Sequence, residues 1–164
     1  MSETKDTRPS RTVEYSQIEN LHVVRGEDIN GTGRLYGGRL LSWIDETAAT
    51  CAQRHSGLEI TTASIDNLTF KRGAYTNDIV VLVAKVTYVG NTSMEVRVNT
   101  YVEDMDGYRH PINRAYLTYV AITRDGKPLP IPYSLEITKE NERIEWNAAL
   151  KRRANRKQRS VEGF

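Results

Sequence analysis

The stretch NGTGRLYGGRLLSWIDETA, residues 30–48, determines how the rest of this chain is interpreted. Five glycines fall within the thirteen residues 26–38, which indicates a loop with special backbone geometry. Residues 39–55 are rich in leucine, alanine and other good helix formers, and Gly57 follows as a helix-ending residue. The sequence therefore predicts a glycine loop that leads directly into one long helix.

Patterns on either side of this helix indicate β-strands. Residues 94–102 alternate between apolar and polar side chains, which is typical of a strand with one buried face. A set of strands with one long helix predicts an α+β domain in which an antiparallel sheet wraps around the helix. One helix covers too little of such a sheet, so we expect at least a dimer. The predicted strands are residues 12–24, 60–70, 79–89, 94–102 and 114–123.

Composition is that of a soluble single-domain protein. The chain has 164 residues, of which 38% are hydrophobic and 27% charged. It contains no apolar run of the roughly 18–20 residues that span a bilayer, and its first ten residues lack the apolar core of a secretory signal. The single cysteine, Cys51, cannot form an intramolecular disulfide. These features favour a cytoplasmic protein.

Charge is distributed unevenly along the chain. Residues 139–164 carry eight basic and four acidic side chains, a net charge of +4, while the other 138 residues carry 15 basic and 17 acidic ones, a net charge of −2. We interpret residues 1–11 as disordered, 12–138 as the domain, and 139–164 as a solvated, basic and helical tail. The tail shows no narrow apolar stripe, so we expect docking at most through Trp146 and Leu150 on a neighbouring subunit. We predict no nucleic-acid or membrane partner.

Asp45 is the first candidate for a catalytic residue. On a helical wheel it lies among Leu41, Ile44 and Ala48, whereas its neighbour Glu46 lies on the polar side. An ionised carboxylate within an apolar face is costly unless it is hydrogen-bonded or functional. The pattern therefore leaves two interpretations, a general base or a carboxylate at the rim that caps a loop amide.

Gly37 and Gly38 stand where the loop enters the helix. The first amides of a helix have no partner within it, and the helix dipole favours negative charge there. Glycine also allows a substrate to approach the backbone closely. The pair is therefore a candidate oxyanion site for a carbonyl oxygen, although a simple tight turn explains it as well.

Residues 30–48 resemble the signature of the hotdog-fold acyl-CoA thioesterases, in which an asparagine precedes a glycine pair and an acidic residue follows. Asn30 and Asp45 occupy those positions, fifteen residues apart. VGNTSMEV (89–96) and RAYLTYVAITRDGKPLPIP (114–132) are similar to later strands of the family. IDNLTFKRGAYTND (65–78) is similar to a further segment but lacks its usual proline and Gly-Asp pair. The resemblance covers residues 12–132.

This resemblance implies a hotdog fold and hydrolysis of fatty acyl-CoA, with coenzyme A as part of the substrate and no separate cofactor or metal. It implies that Asp45 acts as base or nucleophile, and that Asn30 with the Gly37 and Gly38 amides polarises the thioester carbonyl. In the family the asparagine and the acidic residue come from different subunits of a dimer, and dimers often form hexamers. The turn Asn91, Thr92 and Ser93 is then a candidate contact for coenzyme A, and Arg72 and Arg39 are candidates for its phosphates by charge.

Other functions stay open at this point. A hotdog dehydratase generally needs a histidine beside the acidic residue, and the predicted helix has only His55, at its end. We interpret His22, His55 and His110 as exposed or capping residues and Cys51 as a packing residue. The alternative outside enzymes is a non-catalytic acyl-CoA-binding module or sensor.

Overall fold

The computed structural model describes residues 6–66 and 68–164, so residues 1–5 of the segment 1–11 predicted to be disordered lie outside it. Its largest feature is a five-stranded antiparallel sheet in the order β2-β4-β5-β6-β3, and a separate pair joins β1 to β7 in parallel. In chain order the elements are β1 (Ser10–Thr12), α1 (Val13–Ser16), β2 (Ile18–Val23), α2 (Gly37–Ser56), β3 (Ile60–Asp66), β4 (Ile79–Val89), β5 (Ser93–Glu103), β6 (Arg109–Ala121), β7 (Ser134–Glu136) and α3 (Glu140–Glu162).

The long helix α2 packs against one face of the sheet, which we call the inner face. Its last residues end at Gly57 in the left-handed conformation, where glycine carries no steric penalty. Small and branched side chains from the three central strands fill the space beneath it. The predicted α+β architecture, a sheet curved around one long helix, is confirmed. Inner-face residues of the core include Val80, Leu82, Ala84, Val86, Met94, Val96, Val98, Ala115, Leu117 and Tyr119.

The opposite, outer face of the sheet carries the second helix, α3. The polar residues that alternate with the core residues of β5 point to this side, and two of them form ion pairs with α3. Trp146 packs against the ring of Tyr88 in β4, with 4.6 Å between the ring centroids. The helix expected in residues 139–164 is present, but it packs on its own sheet. The expectation that it docks on a neighbour through Trp146 and Leu150 is therefore wrong for Trp146, and Leu150 is exposed.

Several predicted boundaries need correction. The single strand expected at 12–24 is β1, one helical turn and β2, and Ser10 and Arg11 pair with β7 instead of being disordered. Strand β6 begins at Arg109, five residues before the strand predicted at 114–123. A bulge between Thr100 and Tyr101 accommodates Pro111, which lacks the amide hydrogen that a regular ladder requires. No helix in the described residues is long and apolar enough to cross a membrane.

Candidate active site

Asp45 lies on α2 beside the end of the sheet formed by β6 and β3. Its Oδ1 accepts a hydrogen bond from the Thr62 hydroxyl at 2.9 Å and another from the Tyr119 hydroxyl at 2.8 Å. The Tyr119 hydroxyl is also 3.0 Å from the Asp45 carbonyl oxygen. Within residues 6–66 and 68–164, Oδ2 has no recorded hydrogen bond, so one carboxylate oxygen is fixed and the other is available.

Tyr119 is suited to a donor role because it is fully buried. Burial raises the pKa of its hydroxyl, and the hydrogen bond to Asp45 raises that pKa further. The tyrosine therefore stays neutral and keeps its proton for the carboxylate. Thr62 and Tyr119 are cross-strand partners, so the pairing of β3 with β6 brings both hydroxyls to the same carboxylate oxygen.

The helical wheel needs one correction at Asp45. The buried face of α2 is centred on Ile44, Ala48 and Cys51 and extends to Trp43 and Thr47, which the sequence pattern did not place there. Asp45 is consequently half-buried at the rim of this face. Glu46 is exposed and bonds Ser42 on the polar side, as the wheel predicts.

Asn30 is held by a compact turn that precedes α2. Its Oδ1 accepts hydrogen bonds from the Thr32 amide at 2.9 Å, the Thr32 hydroxyl at 2.8 Å and the Arg34 amide at 3.2 Å. The amide of Gly33, in the left-handed conformation that favours glycine, donates to the Asn30 carbonyl. These bonds fix the orientation of the side chain, and its Nδ2 is the end that the turn does not use.

A cleft of about 410 Å³ brings Asn30 together with Gly37 and Arg72. Its walls are apolar at Leu40 and cationic at Arg72. A second cleft on the other side of Asn30 contains Gly38. Asp45 lines neither cleft in the described structure. The remaining lining residues of the first cleft are Arg34, Leu35, Phe70, Lys71, Gly73, Ala74 and Ile112.

The glycine pair forms the first turn of α2, which begins at Gly37, two residues earlier than predicted. Tyr36 precedes the helix and its side chain makes no capping hydrogen bond. The first intrahelical amide contact is the one from Leu40 to the Tyr36 carbonyl. The amides of the first turn therefore lack a side-chain acceptor, which is the arrangement expected of an anion-binding helix start.

The residues proposed for coenzyme A lie in different places. Arg72 lines the Asn30 cleft, whereas Asn91 and Thr92 lie in the turn between β4 and β5, and Ser93 is the first residue of β5. That turn is held by backbone hydrogen bonds from the Ile131 amide to the Asn91 carbonyl and from the Ala121 amide to the Thr92 carbonyl. Since Ala121 follows Tyr119 on β6, the turn stands at the Asp45 end of the sheet. In the described structure this turn does not line the Asn30 cleft.

Arg39 is already engaged, because its Nε lies 3.1 Å from the Asp28 carboxylate. This ion pair involves one nitrogen of a side chain that is 45% exposed, so the phosphate role suggested by charge stays a prediction.

The three histidines lie apart from Asp45. His22 stacks on the Trp43 ring at 4.3 Å, and His110 pairs with Asp104 at 2.6 Å. His55 is fully buried, not exposed, and its Nδ1 lies 3.2 Å from the Ser16 hydroxyl. Burial lowers the pKa of His55 to about 4. Cys51 is packed in the core as predicted, and burial raises the pKa of its thiol to about 12.

Comparison with known proteins places this geometry in a family. The model of the thioesterase superfamily matches residues 32–107. An uncharacterized acyl-CoA thioester hydrolase of Bacillus subtilis, YkhA, is 37% identical over 158 residues, which are 96% of this chain and 88% of that protein. The chain belongs to the acyl-CoA thioester hydrolases of the hotdog fold. Both the family inferred from the glycine motif and the prediction of a hydrolase are thereby confirmed.

Solved acyl-CoA hydrolases share the whole architecture. The Staphylococcus aureus acyl-CoA hydrolase superimposes with a TM-score of 0.87 at 32% identity, over 95% of this chain and 96% of that one. A hexameric acyl-CoA thioesterase gives the same TM-score at 37% identity, over 93% and 97% of the two chains. The cytosolic acyl coenzyme A thioester hydrolase of Rattus norvegicus is 31% identical, but the chain spans only 35% of its length.

The Staphylococcus aureus hydrolase has also been solved with an aspartate, an asparagine or a threonine replaced by alanine. Its asparagine and aspartate are fifteen residues apart, and its aspartate and threonine are seventeen apart. Asn30, Asp45 and Thr62 have the same two spacings.

Thr62 and Tyr119 were not identified from the sequence. Thr62 lies in a strand of ordinary composition, and no neighbouring residue in the sequence indicates that it belongs to an active site. Tyr119 offered a signal, because strand alternation places it on the inner face with Ala115 and Leu117. A buried tyrosine hydroxyl usually finds a hydrogen-bond partner, and the carboxylate of α2 was the available one.

Proposed function

We propose that this protein hydrolyses fatty acyl-CoA to a free fatty acid and coenzyme A. The observation that carries the proposal is the Asp45 carboxylate, which two hydroxyls hold by one oxygen while the other is available. A carboxylate fixed in this way is suited to orient and deprotonate a water molecule. The equal spacing of Asn30, Asp45 and Thr62 in the Staphylococcus aureus hydrolase supports the assignment.

In this mechanism water attacks the thioester carbonyl carbon while Asp45 Oδ2 accepts its proton. The carbonyl oxygen gains negative charge, which the Asn30 Nδ2 and the amides of Gly37 and Gly38 stabilise. Collapse of the tetrahedral intermediate then breaks the carbon–sulfur bond, and coenzyme A leaves with the proton. No cofactor or metal takes part in this route.

A covalent route uses the same residues. Asp45 attacks the carbonyl carbon directly, coenzyme A leaves, and water hydrolyses the resulting anhydride. Rapid mixing separates the two routes, because accumulation of an anhydride gives a burst of free thiol before the steady state. Direct attack by water gives a linear release of thiol from the first turnover.

Each active site in this proposal is completed by a second copy of the chain. Asp45 lines neither cleft that Asn30 lines, and its partner Thr62 lies exposed on β3, an edge strand. Pairing of two β3 strands would continue the sheet and bring the Asn30 cleft of one protomer to the Asp45 of the other. A hexamer built from three such dimers is the assembly we favour, since hexameric relatives share the fold.

The substrate then extends from the Asn30 cleft of one protomer to the Asp45 region of the other. Arg72 in the Asn30 cleft and the turn of Asn91, Thr92 and Ser93 are proposed to contact coenzyme A. The Staphylococcus aureus hydrolase was solved with butyryl coenzyme A and coenzyme A, which makes butyryl-CoA the probe for a first assay.

Mixing two inactive variants tests the proposal. Asn30→Ala and Asp45→Ala are each expected to abolish release of free thiol from butyryl-CoA. Co-refolded in equal amounts, they should recover about a quarter of wild-type activity, because half of the dimers are mixed and each has one intact site of two. No recovery with mixed dimers verified by a different affinity tag on each variant would contradict the shared site. Full activity of either single variant would contradict the proposed chemistry.

A further inference from the structure

The outer helix α3 is linked to the edge strand that carries Thr62. Arg156 Nη1 lies 2.7 Å from Asp66 Oδ2, and Arg159 Nη2 lies 2.8 Å from Asp66 Oδ1. Asp66 is the last residue of β3, and its side chain is only 11% exposed. Both carboxylate oxygens are therefore held by α3.

One of these arginines, Arg156, also reaches the centre of the sheet, next to Arg152 of the same helix. Arg152 binds the carboxylate of Glu95 at 2.7 Å and 3.0 Å, and Arg156 lies 3.7 Å from it. Glu95 is 2% exposed and also accepts a hydrogen bond from the Thr87 hydroxyl. This network joins β5, in the middle of the sheet, to β3 at its edge.

Strand β3 is an edge strand, held by β6 along one side and by the packing of Ile60 and Ile65 on the core. It pairs with β6 alone, and its register shifts between Thr62 and Ser64. Most of its residues are exposed or half-buried. The strand nevertheless holds α2 on the inner side through Thr62 and α3 on the outer side through Asp66.

We infer that α3 is a brace for catalysis, in which Asp66, Arg156 and Arg159 are positioning residues that set β3 and, through Thr62, the Asp45 carboxylate. The inference rests on the proposed function of Asp45. A catalytic group displaced by about 1 Å loses up to ~100-fold in rate, so a small shift of β3 is sufficient to slow hydrolysis. The proposed coenzyme A contacts, Arg72 and residues 91–93, lie outside β3, so we expect substrate binding to change little.

Asp66→Asn in the full-length protein tests this inference, with butyryl-CoA as substrate. It keeps the shape of the side chain and removes the charge that both arginines bind. We expect kcat to fall about tenfold while KM changes by less than about twofold. Asp66→Glu, which keeps the charge, should recover most of the lost kcat.

Glu145→Gln is the matched control. It removes the ion pair between Glu145 on α3 and Arg97 on β5, which has similar exposure and makes no direct contact with β3. The same carboxylate lies 3.9 Å from Arg152, whose closer partner Glu95 stays in place. Thermal unfolding should shift by a similar amount in both variants, yet kcat should fall only in Asp66→Asn. Equal losses of kcat in the two variants, or no loss in Asp66→Asn, would overturn the inference.

A double variant shows whether Asp66 acts through Asp45. In the Asp45→Asn background, Asp66→Asn should cause no further loss of the residual rate, because the group that it positions is already gone. A second tenfold loss in that background would place the effect elsewhere and overturn the brace. Failure of the proposed function is a separate result, since Asp45→Asn alone would then keep wild-type activity.

Discussion

The two long helices cover opposite faces of one sheet by different means. α2 covers the inner face with fully buried side chains such as Ile44, Ala48 and Cys51. α3 buries one residue, Ala149, and meets the outer face through Arg152, Arg156 and other charged groups. Apolar packing does not depend on a particular partner atom, whereas each ion pair requires a specific carboxylate on the sheet.

Their first turns differ as well. On α3 the Glu142 carboxylate accepts hydrogen bonds from the backbone amides of Thr138 and Lys139 at 2.8 Å and 3.1 Å. On α2 the side chain of Tyr36 makes no such bond, and glycines occupy the first two positions. The first turn of α3 therefore carries its own carboxylates, Glu140 and Glu142, whereas the first turn of α2 has no acidic side chain. This difference is consistent with the proposed catalytic role of α2 and with attachment of α3 through ion pairs.

The largest expected effect concerns the chemistry of α2. Asp45→Asn keeps the hydrogen bond from Thr62 or Tyr119 but removes the base, so kcat should fall roughly 10²–10⁴-fold. Its neighbour Glu46 bonds only Ser42 on the exposed side, and Glu46→Gln should keep wild-type turnover. Steady-state kinetics on butyryl-CoA measure both. An essential Glu46 with a dispensable Asp45 would reverse the assignment.

The contrast between the helices also explains what the sequence could predict. The length and composition of α2, the glycine loop and the alternating residues 94–102 all follow from local patterns, and the structure agrees with them. Asn30 and Asp45 emerged from a motif within one short stretch. Thr62 and Tyr119 did not, because they reach Asp45 only after β3 and β6 pair, and pairing over that distance leaves no local trace.

The absence of an apolar stripe on α3 did not predict how this helix packs, because it contacts the sheet through charged side chains. Its contact face is a stripe of charged residues at helical spacing, Glu145, Arg152, Arg156 and Arg159, around the small Ala149. Such residues resemble a solvated surface in a sequence, since charged side chains are rarely buried without partners. Their carboxylate partners on the sheet are distant in sequence and become apparent only in the fold.

Core packing of α2 should give the next largest effect. Ile44 is fully buried, so Ile44→Ala should lower the free energy of unfolding by about 2–5 kcal/mol through lost burial and a new cavity. Leu150 on α3 is 41% exposed, and Leu150→Ala should stay within about 0.5 kcal/mol of wild type. Denaturant titration compares the two. A large loss in Leu150→Ala would show that α3 also packs by burial, for example in an oligomer.

The ion pairs of α3 should respond differently to single and double changes. Arg152→Met leaves the buried Glu95 with Thr87 and the more distant Arg156, and should cost about 3 kcal/mol of unfolding free energy. Adding Glu95→Met removes the uncompensated charge and should restore much of that loss. Equal stability of the single variant and wild type in denaturant titrations would show that the pair contributes nothing.

Because of His55, in the last turn of α2, we expect the stability of the fold to depend on pH. A histidine in the last turn of a helix usually has a raised pKa, but burial dominates for His55 and lowers its pKa to about 4, below the ordinary 6.5. The unfolded chain therefore binds the proton more tightly than the folded one. The free energy of unfolding is therefore highest above about pH 6.5 and decreases as the pH falls toward 4. At pH 5 the decrease due to His55 should be about 2 kcal/mol. Unfolding measured against pH should show this slope, and His55→Gln should remove its share.

The smallest effects on stability are expected at the open start of α2. A methyl group on Gly37 would meet the Phe70 ring at an ordinary 3.5 Å, whereas one on Gly38 would lie 2.6 Å from the ring of Tyr36. Tyr36 is 59% exposed and can rotate away, so the free energy of unfolding of both alanine variants should stay within about 1 kcal/mol of wild type.

Activity is the more sensitive measurement, because the methyl group or the displaced ring of Gly38→Ala narrows the approach of a substrate to the first amides of α2. We expect kcat/KM for butyryl-CoA to fall about tenfold in Gly38→Ala, with the oligomer intact, and less in Gly37→Ala. Full activity in both variants would mean that the glycines only form a turn, and that α2 differs from α3 in how it packs but not in what its first turn binds.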